Sequence, residues 1–298
     1  MKPGIYTDLT DEQYRAIEAC SQSQLKLFQK SARAVHESKE FPKQSSAFKM
    51  GTAADLLLFN PKRFQEEFVE YSGSAKADGE WTTERRGKGW AEFKEVAERE
   101  GKQILTEAEL AEAQSYAKAA HQHPVAAGLL VDGKSHVVVV WEDEHTGLLC
   151  KAQLDYLQHL ESEDHMIVDV KTTRSITPRA WAADSFKYGY HVQAAFYLDG
   201  LFDQLYGGFN STDLPHIGFT DIAVEKGSPR PEVVCYEVPP ELIYYGRQQY
   251  RGWLEEYAAC KESGVWPGIA DRMTMQTKPP EWIREKVELD YNAGYGAP

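Results

Sequence analysis

The spacing of apolar positions changes from helical to alternating near residue 130. Before that point, apolar residues recur every three or four positions between cap candidates, and Thr106 with Glu109 forms a capping-box pattern. Residues 72–90 are rich in Gly, Ser and charge, which predicts a loop. The helical pattern predicts helices at 7–20, 21–32, 50–59, about 90–100 and 106–122.

Residues 130–240 carry short apolar runs that are typical of strands. These runs predict strands at 136–141, 147–155, 165–171, about 216–224 and 232–238. A long helix or a helix pair is predicted at 178–201, another helix at 240–261, and an irregular tail at 266–298. We therefore expect one α/β domain of the α+β type over 1–298, with a small mixed sheet flanked by helices. Its parts are a mainly helical region (1–125), a catalytic core (130–240) and a C-terminal helix with a tail (240–298).

Composition limits the cellular setting. The 298 residues are 42% hydrophobic, but no run approaches the ~20 apolar residues that span a bilayer, and the first residues lack a secretory apolar run. We therefore expect a cytoplasmic protein without membrane association. The four cysteines are widely spaced, which predicts reduced, mostly buried thiols and disfavours a zinc or iron–sulfur site.

The formal net charge of −13 disfavours a protein that coats DNA, because phosphate binding is mainly neutralisation by Lys and Arg. An enzyme that holds DNA in a local basic groove remains compatible with this charge, and a bound metal ion adds positive charge that the sequence does not count. The motifs therefore decide the class of ligand.

One predicted strand carries charged residues within an apolar run. Alternation places Asp169 and Lys171 on one face, together with Ile167. The preceding predicted strand ends at Asp155, so pairing of the two strands would bring a second carboxylate beside Asp169. Burial of such groups is costly without a partner or a function. From these residues alone, a structural ion pair and a metal site both stay open.

The metal site is the chemically specific interpretation. Adjacent carboxylates attract a hard cation, and Mg²⁺ prefers one or two of them together with waters and substrate phosphate. Such an ion activates a bound water and neutralises developing charge, and a neighbouring lysine stabilises the same charge. Asp155, Asp169 and Lys171 are therefore candidates for metal-dependent hydrolysis of phosphodiester bonds.

Four motifs, Trp141–Cys150, Asp155, Ile167–Thr173 and Tyr190–Tyr197, occur together in this order. In this combination the chain resembles the RecE family of phage and prophage recombination exonucleases, the exodeoxyribonuclease VIII type. The resemblance covers nearly the whole chain, including Ile5-Tyr6, Ser23-Gln24-Leu25, Gly51-Thr52-Ala53 and Trp266-Pro267. The family belongs to the PD-(D/E)xK nuclease superfamily, which implies a small mixed sheet that carries the motif residues.

The resemblance implies roles for the charged residues. Asp155 and Asp169 would bind Mg²⁺, which Mn²⁺ is expected to replace. The backbone carbonyl of Val170 would be a further ligand, and Lys171 would position or activate the water. The implied activity is digestion of double-stranded DNA from the 5′ end, which leaves 3′ single-stranded overhangs for recombination by strand annealing.

A helix beside the site is also implied. Gln193 and Tyr197 match the Q-x-x-x-Y helix of the family, and their spacing puts both on one helix face. Without the flanking match, a core tyrosine and a surface amide would be the simpler interpretation.

The chain departs from the family at two positions. The family usually has His where this chain has Asp55, and usually has Glu near the position of His136. Both residue types bind metals, so an exchange of His and acid could preserve the ligand set. We expect Asp55 and His136 to share the neighbourhood of the metal; the alternative is that these positions have drifted and the site is weaker.

DNA contacts are predicted in the loop that precedes residue 90. Arginine suits bidentate phosphate contact and tryptophan can stack on a base. The predicted DNA-binding residues are Trp81, Arg85, Arg86, Lys88 and Trp90; simple solvation of these charges is the alternative. A second, weaker patch consists of Lys26, Lys30 and Arg33.

The resemblance further implies partners. It predicts binding to double-stranded DNA ends, a ring-shaped homo-oligomer (a tetramer, alternatively a trimer) and a single-strand annealing protein. Two alternatives to the exonuclease stay open: a single-strand-specific nuclease on the same fold, and a catalytically weak scaffold that binds DNA ends.

Overall fold

The computed structural model describes residues 1–38, 46–76, 79–159, 164–207, 217–271 and 281. Its strands are β1 (Gly4–Tyr6), β2 (Cys20–Ser21), β3 (Phe68–Tyr71), β4 (Ser74–Ala75), β5 (Trp81–Thr82), β6 (Gln103–Thr106), β7 (Gly133–Glu142), β8 (Leu149–His159), β9 (His165–Thr173), β10 (Ile217–Glu225) and β11 (Val233–Glu237). Its helices are α1 (Asp11–Ala16), α2 (Gln22–Leu25), a 3₁₀ turn (Lys26–Gln29), α3 (Ala32–Glu37), α4 (Ser46–Phe59), α5 (Pro61–Glu67), α6 (Lys88–Arg99), α7 (Glu107–Gln122), α8 (Pro124–Leu129), α9 (Pro178–Tyr188), α10 (Tyr190–Tyr206) and α11 (Pro240–Ser263).

A mixed sheet forms the centre of the fold. Across the described residues its strand order is β1-β7-β8-β9-β10-β11, and β2 pairs with β8 from outside this path. The strands β7, β8 and β9 are antiparallel neighbours, whereas β9 and β10 are parallel. The α/β fold class with a small mixed sheet is therefore confirmed.

Helices cover both faces of the sheet. On one face, α10 and α11 pack over a core that includes Phe196, Phe219 and Leu254. On the other face, residues of α4, α7 and α8 pack against Tyr156 and Ile222. A fully buried side chain such as Phe196 contributes roughly 1.5–3 kcal/mol by leaving water. The sheet is thus held rigidly from both sides, and its charged residues lie within a packed frame.

Local signals set several element ends. The capping box predicted at Thr106 is present: its hydroxyl accepts from the Glu109 N–H, and the Glu109 side chain accepts from the Thr106 N–H. The segment at 178–201 is a helix pair, because Gly189 adopts a left-handed conformation with φ of 71° that ends α9 before α10 begins. Asn60 caps α5, which begins at Pro61 directly after α4.

Four predictions of local structure are wrong. The helix expected at 7–20 is limited to Asp11–Ala16, and Cys20 lies in strand β2. The helix expected at 21–32 is divided, because the Ser31 hydroxyl caps a new helix at Ala32. The loop expected at 72–90 contains the paired strands β4 and β5, and α6 begins already at Lys88. Strand β8 continues past Asp155 to His159, since its last residues pair with the start of β9. Most of the tail at 266–298 lies outside the described residues.

The prediction that the cysteines are mostly buried thiols is confirmed. The four cysteines form no disulfide; Cys20, Cys150 and Cys260 are buried and Cys235 is half-buried. In the part of the chain that the structure describes, no helix has both the length and the apolar character that a membrane crossing would require.

Candidate active site

Three carboxylates lie in a row across the central strands. The antiparallel register of β8 and β9 continues from Tyr156 and Val168 to Asp155 and Asp169, and the parallel register of β9 and β10 aligns Asp169 with Asp221. Side chains at aligned positions of neighbouring strands share a face. The sheet therefore places three acids side by side, and the Asp155 carboxylate is fixed by accepting the Val170 N–H at 2.9 Å.

Burial makes this row electrostatically unfavourable without a cation. Burial raises the pKa of Asp155 well above its usual range, and the negative charges of Asp169 and Asp55 raise it further, against the opposing effect of Lys171. Burial likewise raises the pKa of Asp221 to about 8, with Asp169 adding and Lys171 opposing. The site thus has a deficit of positive charge.

Lys171 is the cation of the site, on the same face as Asp169 as predicted. Its ammonium group is paired with Asp169 and lies 5.2 Å from the centre of the Tyr190 ring. Burial alone would lower the pKa of Lys171, but the attraction of Asp169, Asp155 and Asp221 outweighs it and raises this pKa. Lys171 is therefore held as an ammonium that donates hydrogen bonds.

Helix α10 supports the row from one side. The Gln193 side-chain amide donates to Asp169 Oδ1 at 2.6 Å. Tyr197, one turn further along, is hydrogen-bonded to Gln193, and its pKa is raised well above the usual range by burial and by the charges of nearby groups. The predicted pair thus lies at the site: Gln193 orients a carboxylate and Tyr197 supports Gln193.

Asp55 and His136, the two positions at which acid and histidine were predicted to have exchanged, contact each other. His136 Nε2 lies 2.8 Å from Asp55 Oδ2, and Asp55 is close enough to influence the Asp155 carboxyl. His136 has a φ of 53° inside β7, where the register would place it opposite Asp155. A positive φ in a strand residue is strained and is typically kept only where function or packing requires it.

The oxygen donors of this site fit a divalent cation. Within the described residues, no three Asp, Glu, His or Cys side chains already converge on one point. Mg²⁺, however, commonly uses only one or two carboxylates and completes its shell with waters and phosphate. One buried oxygen each on Asp55 and Asp221 has no hydrogen-bond partner among the described residues, so these two oxygens could accept a cation or its bound water.

The three basic residues predicted to bind DNA lie on the surface, and each is close to a carboxylate of the same chain. The Arg85 guanidinium is 3.2 Å from Glu109 and 5.4 Å from the Trp90 ring centre, and Arg86 is 2.6 Å from Glu84. The other predicted residues differ in how far they contact their neighbours. Lys88 lies 3.7 Å from Glu92, Trp90 packs on Tyr71 and Phe93, and Trp81 is 66% exposed.

Two residues of the second basic patch have partners within the chain. Lys26 donates to the Tyr188 carbonyl at 2.9 Å, and Arg33 pairs with Asp271 at 2.7 Å. Burial lowers the pKa of Lys26, and the Lys171 charge lowers it further. Lys26 therefore lies near the candidate site, whereas Arg33 is paired with Asp271.

Asp221 is a site residue that was not predicted from the sequence. It lies inside the apolar run Ile217–Val224, so the reasoning applied to Asp169 would have selected it as a charged residue in a buried strand. The missing information was the parallel register of β9 and β10, which aligns Asp221 with Asp169. That register depends on packing between distant segments of the chain.

This fold and this site define a class: a mixed sheet with paired acids and a lysine on adjacent strands is the arrangement of the PD-(D/E)xK superfamily, whose nucleases generally use divalent metal ions. The chain belongs to the family described as "PDDEXK-like domain of unknown function (DUF3799)", whose model matches residues 21–278. Membership of the RecE family stays a prediction.

One solved structure extends the comparison. The chain is similar to a crystal structure of a protein from Eubacterium rectale that is described, only provisionally, as an exonuclease. The TM-score is 0.60 at 16% sequence identity, and the match covers 97% of this chain and 100% of that one. At this identity the similarity shows a shared fold. No curated protein matches the sequence.

Proposed function

We propose that this protein is a Mg²⁺-dependent exonuclease that digests double-stranded DNA from the 5′ end. The observation that carries the proposal is the convergence of Asp155, Asp169 and Lys171 on adjacent strands, within a family of PD-(D/E)xK type. The solved relative described provisionally as an exonuclease supports the same class of reaction. The polarity and the duplex preference come from the RecE resemblance.

Asp155 and Asp169 would hold the metal ion, with the Val170 carbonyl as a further ligand and Mn²⁺ as a substitute ion. When bound, the ion activates a water and neutralises charge on the scissile phosphate. Gln193 holds Asp169 in orientation through its 2.6 Å hydrogen bond. Val170 ties Asp155 to β9 through its N–H, so the spacing of the two carboxylates is set by backbone geometry.

Lys171 acts as a donor in this mechanism. The carboxylates around Lys171 raise its pKa, which favours the ammonium form and hence a role as a hydrogen-bond donor. It can hold the attacking water by donating to it, and it can stabilise negative charge on the phosphate in the transition state. Its position over the Tyr190 ring limits the directions in which the ammonium can point.

The pair Asp55–His136 would complete the metal environment. Its contact at 2.8 Å and the influence of Asp55 on Asp155 support a role as further ligands or as groups that orient them. This interpretation favours an active enzyme in which acid and histidine have exchanged positions, and it disfavours drift to a DNA-binding scaffold.

The wider setting belongs to the same proposal. We expect the enzyme to act on DNA ends in the cytoplasm, as a ring-shaped homo-oligomer, and to supply 3′ overhangs to a single-strand annealing protein. The DNA would approach through the loop that carries Arg85, Arg86 and Lys88, where phosphates would compete with the carboxylates that now pair with these cations.

Digestion of linear duplex DNA labelled at the 5′ or the 3′ end tests the proposal. With Mg²⁺, the 5′ label is expected to be released first, and Lys171→Ala is expected to lower the rate by about 10²- to 10³-fold. Lys134→Ala, an exposed lysine on β7, is the matched control and should retain the rate.

Other results would identify an alternative. Binding of DNA ends without any digestion would favour the scaffold. Digestion restricted to unpaired strands would favour a single-strand-specific nuclease on the same fold.

A further inference from the structure

Asp221 is a buried carboxylate that the proposed reaction does not yet use. It is 1% exposed, and its Oδ1 has no hydrogen-bond partner among the described residues. It is aligned with Asp169 on the neighbouring parallel strand, and Ala223 is aligned with Lys171. Asp221 therefore lies at the end of the carboxylate row, on the opposite side of Asp169 from Asp155.

Burying a carboxyl group without a full set of hydrogen bonds destabilises the fold. Hydrophobic neighbours such as Phe219 and Ile222 fill the same strand, so an apolar residue at position 221 would match its surroundings. A carboxyl group at this position needs a use that offsets the cost, and the positive charge that acts on it is that of Lys171.

Both oxygens of the Asp169 carboxylate accept hydrogen bonds from neighbouring side chains. Gln193 donates to its Oδ1, and Lys171 is bonded to its Oδ2. A cation that binds between Asp155 and Asp169 would share these oxygens with the donors that already contact them. The ammonium is the group that competes with a cation, because like charges cannot share one carboxylate oxygen at short range without repulsion. Lys171 then requires another acceptor in the buried site.

We infer that Asp221 receives the Lys171 ammonium when a divalent cation occupies Asp169. Asp221 is thus a positioning residue: it removes the competition for Asp169 and keeps Lys171 at the site in the loaded state. The alternative acceptor, Asp155, lies on the cation's side of the row and already accepts the Val170 N–H. This inference rests on the proposed function, because it requires a cation at Asp155 and Asp169.

Mn²⁺ binding, followed by the electron paramagnetic resonance of free Mn²⁺ in the absence of DNA, tests this inference. The four proteins are the wild type, Asp221→Asn, Lys171→Met and the double variant. With Lys171 present, Asp221→Asn leaves the ammonium on Asp169, and we expect Mn²⁺ affinity to fall by about 10- to 100-fold. Lys171→Met removes the ammonium that competes with Mn²⁺ for Asp169. In this background we expect the fold-change in Mn²⁺ affinity caused by Asp221→Asn to be at least ten times smaller than in the wild type.

The control is Thr220→Val, which changes the neighbouring buried position on β10 and should leave Mn²⁺ affinity unchanged. An equal fall in both backgrounds would show that Asp221 is a direct ligand and would overturn the inference, as would no change in either background. Failure of the wild type and of Lys171→Met to bind Mn²⁺ would instead contradict the proposed function. Circular dichroism of each variant confirms that it is folded.

Discussion

Two clusters of buried charge lie along helix α10, and they differ in how completely their groups are paired. The first, the site cluster, consists of Asp155, Asp169, Lys171 and Asp221 and is reached by Gln193 in the first half of the helix. The second, the Asp199 cluster, consists of Asp199, Arg247 and Tyr250 in the second half of α10 and on α11.

The Asp199 cluster is electrically and geometrically complete. Arg247 donates to both carboxylate oxygens of Asp199, at 2.7 and 2.5 Å, and the Tyr250 hydroxyl donates to Asp199 as well. The site cluster instead has three acids, one ammonium and a carboxylate oxygen on Asp221 that lacks a partner within the described residues. Complete pairing therefore indicates a structural role, whereas incomplete pairing indicates a partner supplied from outside.

The largest effect on stability is expected at the complete cluster. Asp199→Ala leaves the Arg247 guanidinium without its carboxylate, and we expect the free energy of unfolding to fall by about 3 kcal/mol, the lower end for a broken buried pair because Arg247 is partly exposed. Urea unfolding of the metal-free protein measures this loss. Asp203→Ala, one turn further along α10, serves as the control; equal losses in both variants would remove the distinction between the clusters.

The next largest effect, on metal affinity, is expected at the Asp55–His136 pair. Asp55→Ala or His136→Ala should weaken Mn²⁺ binding by about 10- to 100-fold, because each removes a ligand or the group that orients it. The double variant Asp55→His with His136→Glu, which restores the arrangement usual in the RecE family, should recover most of this affinity. Calorimetric titration with Mn²⁺ checks both expectations. Unchanged affinity in the single variants would assign the pair to packing alone.

A smaller effect on the free energy of unfolding is expected at Asp221. Its sign is opposite to that at Asp199, because substitution of Asp221 should stabilise the fold at high pH. The pKa of Asp221 is raised to about 8 in the fold, so the folded chain holds this proton more tightly than the unfolded chain between about pH 4 and pH 8. Stability from this group is therefore fully present below about pH 4 and is lost as pH rises through about 8. Asp221→Asn should make the decline shallower and should stabilise the metal-free protein at pH 9 by about 1 kcal/mol.

Thermal unfolding in EDTA at pH 5 and pH 9 measures this difference. A loss of stability at both pH values in Asp221→Asn would show that the carboxyl group is satisfied in the fold, and the contrast with Asp199 would then fail.

The smallest effect is expected at the basic loop. Because Arg85 and Arg86 are already paired with Glu109 and Glu84, phosphate contact replaces an existing ion pair, and each arginine contributes little net affinity. The double substitution Arg85→Ala with Arg86→Ala should weaken DNA binding by less than tenfold for any sequence, and should lower the salt dependence by about one unit of slope per lost contact. An unchanged salt slope would place the DNA elsewhere.

Sequence reasoning predicted most of the frame, because its signals are local. The capping box at Thr106 and the alternation around Asp169 and Lys171 each act within a few residues. The mixed sheet and the position of Gln193 beside Asp169 were likewise predicted, the latter through the motif resemblance.

The remainder depends on contacts between distant segments. Asp221 becomes part of the site only through the parallel register of β9 and β10, which no local pattern encodes. The sequence predicted that the basic residues at 85–88 form a DNA-binding patch. In the fold, Glu84, Glu92 and Glu109 lie close enough to pair with them. A sequence lists the charges, whereas the fold determines which of them are already neutralised.

A crystal structure grown with Mn²⁺, with the ion located by its anomalous scattering, tests the central claim most directly. The account predicts one ion between the Asp155 and Asp169 carboxylates, with the Val170 carbonyl among its ligands and the Lys171 ammonium moved from Asp169 to Asp221. An ion bound elsewhere, or a carboxylate row that stays without metal at saturating Mn²⁺, would contradict it.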